Sequence, residues 1–299
     1  MTCVAAPAKL NLTLDVLGVR PDGYHELESI FASITLYDRL AVRSQGPAGR
    51  LGLITRGLTV PGGLDNICLR AASRLARGRP GLPGVDLVLT KRIPVASGLG
   101  GGSADAAATL VALDAHWDLG IDPDELRGIG AEVGADVPFC LKGGLALVGG
   151  KGELVQPLPR PPRPLWLVLV RPPGAKSTGL VYRSYDRLRE EALPVHRPAT
   201  AAAMRALAAG DWESLAGALG NVLEPALGDP RTALARALLE QAGALGAAMT
   251  GSGPTVFGIA RSRDHARAVA ARVARQLPRR GWWLGRAQLA PCGEELARG

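Results

Sequence analysis

Four glycines fall within five positions at Gly98, Gly100, Gly101 and Gly102, and Ser103 follows directly. Glycine at this density costs folding entropy, and is explained where backbone must adopt positive φ or come very close to something. Ahead of it, Val85, Leu87 and Leu89 alternate with Asp86, Val88 and Thr90, with Val88 the exception, as in a strand with one buried face. Pro94 ends that ladder because it has no N–H to give. Behind it, Ala104, Ala106, Ala107, Ala108, Leu110, Val111 and Leu113 read as a helix, with Ser103 as its cap and Asp105 in its first turn. A glycine-rich loop feeding a helix N-terminus gathers unpaired N–H groups at the positive end of a dipole, which is an anion site, and phosphate is the usual anion. Neither common phosphate fingerprint fits. A Walker A loop needs Lys followed by Ser or Thr where Ser103-Ala104 stands, and the dinucleotide fingerprint fails at its third glycine. A tight turn with no ligand would share this composition.

Other residues invite chemistry. Val4 to Leu17 reads as a strand, with Leu10, Leu12, Leu14 and Val16 in period two and Asn11, Thr13 and Asp15 between them. Lys9 lies inside this otherwise apolar strand pattern. If buried it needs a carboxylate partner, and if the strand is an edge it points to water. Asp136 follows Gly134 where a helix should end, and is either a turn former or an acid/base group. Arg20-Pro21-Asp22-Gly23 is a turn that delivers Tyr24 and His25. That aromatic residue either covers core or stacks on a ligand.

The elements around these residues are mixed. Glu26 to Val42 reads as one or two strands broken near Tyr37-Asp38, and Arg50 to Val60 as another. Asp65 caps a helix to Leu75, and Asp122-Pro123 starts one that runs to Val133. Val137 to Leu141 and Leu145 to Val148 read as short strands. Pro157 to Pro164 is stiff and extended, and suits a linker between residues 1–158 and 159–299. Leu165 to Val170 is then a buried strand. Helices follow at Thr200 to Ala209, Asp211 to Leu223 and Arg231 to Ala242, then strands at Ala247 to Thr250 and Thr255 to Ala260. A helix from Asp264 to Leu277 and a strand from Trp282 to Leu289 close an α+β chain.

Composition excludes several classes. The 299 residues are 47% hydrophobic, and mean hydropathy is +0.12. Leu165 to Val170 is the longest apolar run, far too short to span a bilayer. The net charge of +8 suits an acidic small molecule or nucleic acid, but 4% aromatic residues are too few for base-stacking platforms. Cys3, Cys68, Cys140 and Cys292 show no paired spacing for zinc or redox chemistry, so four free thiols in a reducing cytoplasm are expected. The expectation is a soluble cytoplasmic protein with a small-molecule substrate, no nucleic acid and no membrane, as monomer or homodimer.

Three stretches together resemble the signature motifs of the GHMP small-molecule kinases: Pro7 to Leu12, Pro94 to Ala107, and Gly251-Ser252-Gly253-Pro254-Thr255. Arg20 to Leu27 and Gly134 to Phe139 further resemble the branch acting on a CDP-linked methylerythritol, in the non-mevalonate route to isoprenoid precursors. The resemblance implies a ribosomal-S5-like N-terminal domain, a ferredoxin-like C-terminal domain, and phosphoryl transfer from ATP with Mg²⁺. It implies Lys9 and Asp136 as catalytic residues. It also implies a triphosphate cradle from Pro94, Val95, Ala96, Ser97, Gly98, Leu99, Gly100, Gly101, Gly102, Ser103 and Ala104. Asn66 and Lys91 are matched to the adenine, though helix capping and a solvated strand compete for them. Asn11 is matched to the methylerythritol, Tyr24 and His25 to the cytidine, and Tyr182 to its second face. Ser177 and Thr178 fall where the family reaches toward the nucleotide. Beyond Ser103 and Asp136 no acidic metal ligand stands out, and Asp105 would bring a carboxylate near the triphosphate. Other members of the family, acting on homoserine or mevalonate-type alcohols, are the alternative, and would not need Tyr24 and His25.

Overall fold

The computed structural model describes residues 2–174, 176–191, 196–278 and 280–290. Cys292 lies outside them. The N-terminal half runs β1 (Thr2–Val19), β2 (His25–Ser44), β3 (Leu51–Gly57), α1 (Ile67–Ala76), β4 (Val85–Lys91) and α2 (Gly101–Trp117). It continues with α3 (Pro123–Val133), α4 (Val137–Lys142), β5 (Leu145–Gly149) and β6 (Leu154–Pro157). After the proline-rich segment come β7 (Trp166–Arg171), α5 (Thr178–Glu190), α6 (Thr200–Ala209), α7 (Trp212–Ala218), β8 (Gly220–Asn221) and α8 (Leu223–Leu227). The last elements are α9 (Pro230–Gln241), β9 (Ala247–Met249), β10 (Val256–Ala260), α10 (Arg263–Gln276) and β11 (Trp283–Gln288).

Seven strands form the first sheet, in the order β3-β4-β2-β1-β8, with β5 also paired to β2 and β6 to β5. Residues Glu26 to Val42 form one strand rather than two, because register shifts against β1 take up the expected break. The bend lets β2 pair with β5 near Phe31 and with β4 near Ala41. A second, antiparallel sheet runs β11-β7-β10-β9. β8 belongs to the second half of the sequence, yet pairs in parallel with β1 at Thr13 and Leu14. One core cluster joins Leu10, Leu12 and Ile30 to Leu167, Trp212 and Phe257, so the two halves share apolar surface across the linker.

Several boundaries differ from the sequence reading. Residues 137–142 form a helix, not a strand: Pro138 sits in its first turn, where a missing N–H costs nothing. Asp211 to Leu223 is not one helix, since the chain straightens at Gly220–Asn221 to reach β1. No helix is expected from sequence over 178–190, where α5 buries only Val181 and Tyr185. Asn66, not Asp65, caps α1, its Oδ1 accepting from the Cys68 amide at 2.9 Å. α2 begins at Gly101, so Ser103 lies inside it rather than capping it, and Asp105 falls beyond its first turn.

Candidate active site

A cavity of about 830 Å³ is lined from both halves of the chain: by β1, the β1–β2 turn, the start of α1, the glycine-rich loop, Asp136, the start of α5 and Gly251–Gly253. The volume fits a small-molecule site.

The glycine-rich loop forms one wall. Gly98 and Gly100 take φ of 80° and 64°, and Ala96 takes 49° with a side chain to accommodate. A Cβ on Gly98 would stand 2.3 Å from the Thr250 carbonyl oxygen, so C-terminal backbone closes over the loop at this point. Gly100 precedes α2 with no side-chain cap, and the first helical bond runs from the Ala104 amide to the Gly100 carbonyl at 2.9 Å. The amides of Gly101, Gly102 and Ser103 therefore stand at the open, positive end of the helix facing the cavity. Pro94, Val95, Ala96, Ser97, Gly98, Gly100, Gly101, Gly102 and Ser103 all line it. Leu99 and Ala104 do not: both are buried, and Leu99 instead accepts from the Lys9 amide at 2.9 Å. Ser97 turns inward, donating to the Pro94 carbonyl at 2.6 Å, and so pins the loop's own turn.

Lys9 is 5% exposed. Its Nζ lies 3.1 Å from Asp136 Oδ2 and 3.0 Å from Asn11 Oδ1, and 4.4 Å above the Phe31 ring. The carboxylate that a buried lysine requires is thus the one at the start of α4. Asn11 also lines the cavity, with one of its two Nδ2 hydrogens not engaged by the described residues. Its Oδ1 also accepts from Thr250 Oγ1, and its Nδ2 donates to Ser29 Oγ. The side chain thereby holds Lys9 in place.

At the far end, Tyr24 is 57% exposed with Lys151 Nζ 4.7 Å over its ring. His25 Nε2 lies 2.7 Å from Asp186 Oδ1. The Tyr182 ring packs against the imidazole at 4.7 Å, so one of its faces is already taken, and burial pushes its hydroxyl pKa up. Thr178 Oγ1 and Ser252 Oγ meet at 3.0 Å where α5 approaches the third glycine segment, and Ser177 lines the same wall. Lys176 beside them donates to the Leu227 carbonyl.

The two expected adenine contacts, Asn66 and Lys91, both line the cavity, and their polar atoms also bond within the protein. Asn66 caps α1 and donates to the Pro61 carbonyl at 2.8 Å. Lys91 is neither solvated nor free: its Nζ pairs with Asp38 and, at 2.6 Å, with Asp105. Asp105 lines the cavity too, and its Oδ2 is held in this buried triad. Burial raises its pKa to about 8, Lys91 opposing the shift and Asp38 adding to it. No motif in the sequence singles out Phe31, Asp38, Lys151, Lys176, Asp186 or Thr250 as site residues.

Among the described residues no three acidic, histidine or cysteine side chains gather to hold a metal. Ser103 and Asp136, which carry oxygen donors of the kind Mg²⁺ takes, both line the cavity. No helix of the described residues is long and apolar enough to cross a membrane.

The chain belongs to the GHMP kinase family: the model of the GHMP kinases N terminal domain matches residues 66–144, and that of the GHMP kinases C terminal matches residues 203–279. The chain is an ATP-dependent small-molecule kinase. Within the family, the chain is 47% identical over 90% of its length, and 93% of the relative's, to 4-diphosphocytidyl-2-C-methyl-D-erythritol kinase of Pelotomaculum thermopropionicum. It is 45% identical over 93% of its length, and 97% of the relative's, to the protein so named in Moorella thermoacetica. A crystal structure of 4-(cytidine 5'-diphospho)-2C-methyl-D-erythritol kinase superposes with a TM-score of 0.78 at 36% identity, covering 97% of this chain and all of that one. Homoserine kinase from Cytophaga hutchinsonii gives 0.74 at 19% identity, covering 98% and 96%, and shares the fold alone.

Proposed function

We propose that this chain transfers the γ-phosphoryl group of ATP to the 2-hydroxyl of 4-diphosphocytidyl-2-C-methyl-D-erythritol, releasing ADP, in isoprenoid precursor synthesis. The observation that carries the reading is one cavity with an ammonium–carboxylate pair beside an anion-binding helix start, and an exposed aromatic ring with an imidazole at its other end. The first half of that description serves any kinase of the family. The second serves a substrate that ends in a base, as the relatives' names specify.

In this reading the amides of Gly101, Gly102 and Ser103 hold triphosphate oxygens in the geometry of the developing charge. Asp136 accepts the proton of the acceptor hydroxyl as its oxygen bonds to the γ-phosphorus, and the bond to the ADP oxygen breaks. Lys9 orients Asp136 and offsets negative charge at the transferring group, held rigid by Asn11, Phe31 and its own backbone bond to Leu99. Mg²⁺, when bound with the nucleotide, neutralises phosphate charge. Tyr24 supplies a stacking face for cytosine, and His25 reads its edge.

ADP release with the cytidine-linked alcohol, homoserine and mevalonate as acceptors tests this. Turnover with the first alone is expected. Turnover confined to either of the others would overturn the reading.

A further inference from the structure

The contact between His25 and Asp186 joins two elements far apart in sequence at the base-reading end of the cavity. His25 opens β2, its side chain 15% exposed, and it lines the cavity wall. Asp186 sits on α5 one turn after Tyr182, so the two share a helix face. Tyr182 packs on the imidazole plane and Asp186 Oδ1 meets its edge at Nε2, 2.7 Å away. Together they contact the ring on its plane and at one edge. Asp186 itself does not line the cavity, and its carboxyl is 37% exposed.

An ionised carboxylate has only acceptor sites, so the nitrogen facing it must carry a proton. Nδ1 makes no hydrogen bond to any described residue. In the neutral ring, with Nε2 protonated, Nδ1 is a bare acceptor. An acceptor at this position welcomes the exocyclic amine of cytosine, and opposes the carbonyl oxygen that uracil carries in its place. A partner that could itself donate would let the proton move to Nδ1 and invert the preference.

Resting on the proposed function, we infer that Asp186 is a positioning residue for base selectivity: it holds His25 with Nε2 protonated and Nδ1 free to accept from an amino-bearing pyrimidine. Its effect is on which pyrimidine is taken, not on phosphoryl transfer.

The test compares kcat/KM, at one fixed pH throughout, for the cytidine-linked alcohol and its uridine-linked counterpart in the wild type, Asp186→Ala, Asp186→Asn and Asp186→Glu. Loss of one charge-assisted hydrogen bond corresponds to a fall of about tenfold or more in the cytidine-to-uridine ratio for Asp186→Ala. The loss should sit in KM for the cytidine substrate, with KM for ATP unchanged. Asp186→Asn should relax the ratio at least as far, because its amide can donate to Nε2, and Asp186→Glu should restore part of it. Equal losses on both substrates, or an unchanged ratio, would overturn the inference and make the pair a brace between the halves of the molecule. A wild type inactive on the cytidine-linked alcohol would instead overturn the proposed function. Titration of CMP against UMP with the ATP site filled by a non-hydrolysable analogue needs no turnover, and decides the role of Asp186 in either case.

Discussion

Gly100→Ala should disable catalysis while leaving nucleotide binding nearly intact. Gly100 has φ of 64°, and a Cβ built on it would stand 2.6 Å from Lys9 Cγ and 3.0 Å from Lys9 Cε. Ordinary contact begins at 3.4 Å, so the two must part by about 0.8 Å. Lys9 cannot swing away freely. Its Nζ is fixed by Asp136 and Asn11 at 3.1 and 3.0 Å, and its amide is tied to Leu99 of the same loop. The displacement therefore passes into the lysine–carboxylate pair, and a misplacement near 1 Å at a reacting centre costs roughly 10²-fold in rate. The left-handed backbone costs an alanine a further 1–2 kcal/mol or so of stability. Single-turnover rates by rapid quench at saturating ATP and acceptor measure the first effect, and urea unfolding measures the second. Gly128→Ala is the control: nothing lies within 4 Å of its Cβ, its backbone is helical within α3, and it does not line this cavity. That variant should be at least as stable as the wild type and keep its turnover. A folded Gly100→Ala protein with turnover within threefold of wild type would refute the claim that Lys9 works only when held in this position.

Three further outcomes are expected. Asp136→Asn should lower turnover by roughly 10²–10⁴ with little change in substrate affinity, and combining it with Lys9→Ala should do far less than the product of the two effects, because the pair acts as a unit; full additivity in single-turnover rates would separate their roles. Tyr24→Ala should weaken the cytidine-linked substrate by about 1–3 kcal/mol and leave ATP affinity unmoved, as read by titration with each ligand; equal losses would make Tyr24 structural. Folded Asp105 keeps its proton up to about pH 8, whereas an unfolded aspartate releases it near 3.9, about four units lower. The stability this group contributes is complete below the lower value and lost as pH rises through the upper one. Asp105→Asn has no such loss, so its stability relative to wild type should improve from pH 5 to pH 8.5, and a pH-independent difference in chemical unfolding would contradict the triad's electrostatics.

Much of the frame is legible from local chemistry. Asp122 followed by Pro123, with Gly134 after the last apolar residue, marks both ends of α3, since cap, fixed φ and helix stop are all short-range effects. The anion end of α2 is likewise visible from glycine density alone. α4 and α5 are not. The apolar run Val137 to Leu141 has the composition of a short strand, and only Pro138 argues against it. α5 is a polar helix whose burial is confined to Val181 and Tyr185, one turn apart, too little apolar surface for a periodic signal. Yet α5 carries both Tyr182 and Asp186. Part of the cavity wall around His25 thus stands on an element whose stability comes from tertiary packing rather than its own pattern.

The two buried lysines show where local reasoning stops. Lys9 shares parity with Asn11, Thr13 and Asp15, so the residue pattern leaves open whether it is buried, where it needs a carboxylate partner, or points to water. Lys91 carries a clearer signal. It shares parity with Val85, Leu87 and Leu89, the inward face of β4, and period two alone assigns it to the core rather than to solvent or a ligand. Parity does not identify the partners. Asp38 and Asp105 come from β2 and α2, and only the closing of the sheet beneath the glycine-rich loop brings them together. The arrangement has a consequence for the site. Asp38 Oδ1 accepts from the Ile93 amide at 2.9 Å, while the first residue of α2, Gly101, has no room for a Cβ against Lys91 Nζ and Ile93 Cγ2, each 2.9 Å away. The loop is therefore anchored at its entry by Asp38 and at its exit by close packing on Lys91. A glycine-rich segment that would be entropically loose as a peptide is fixed at both ends, which is what a preorganised anion cradle requires.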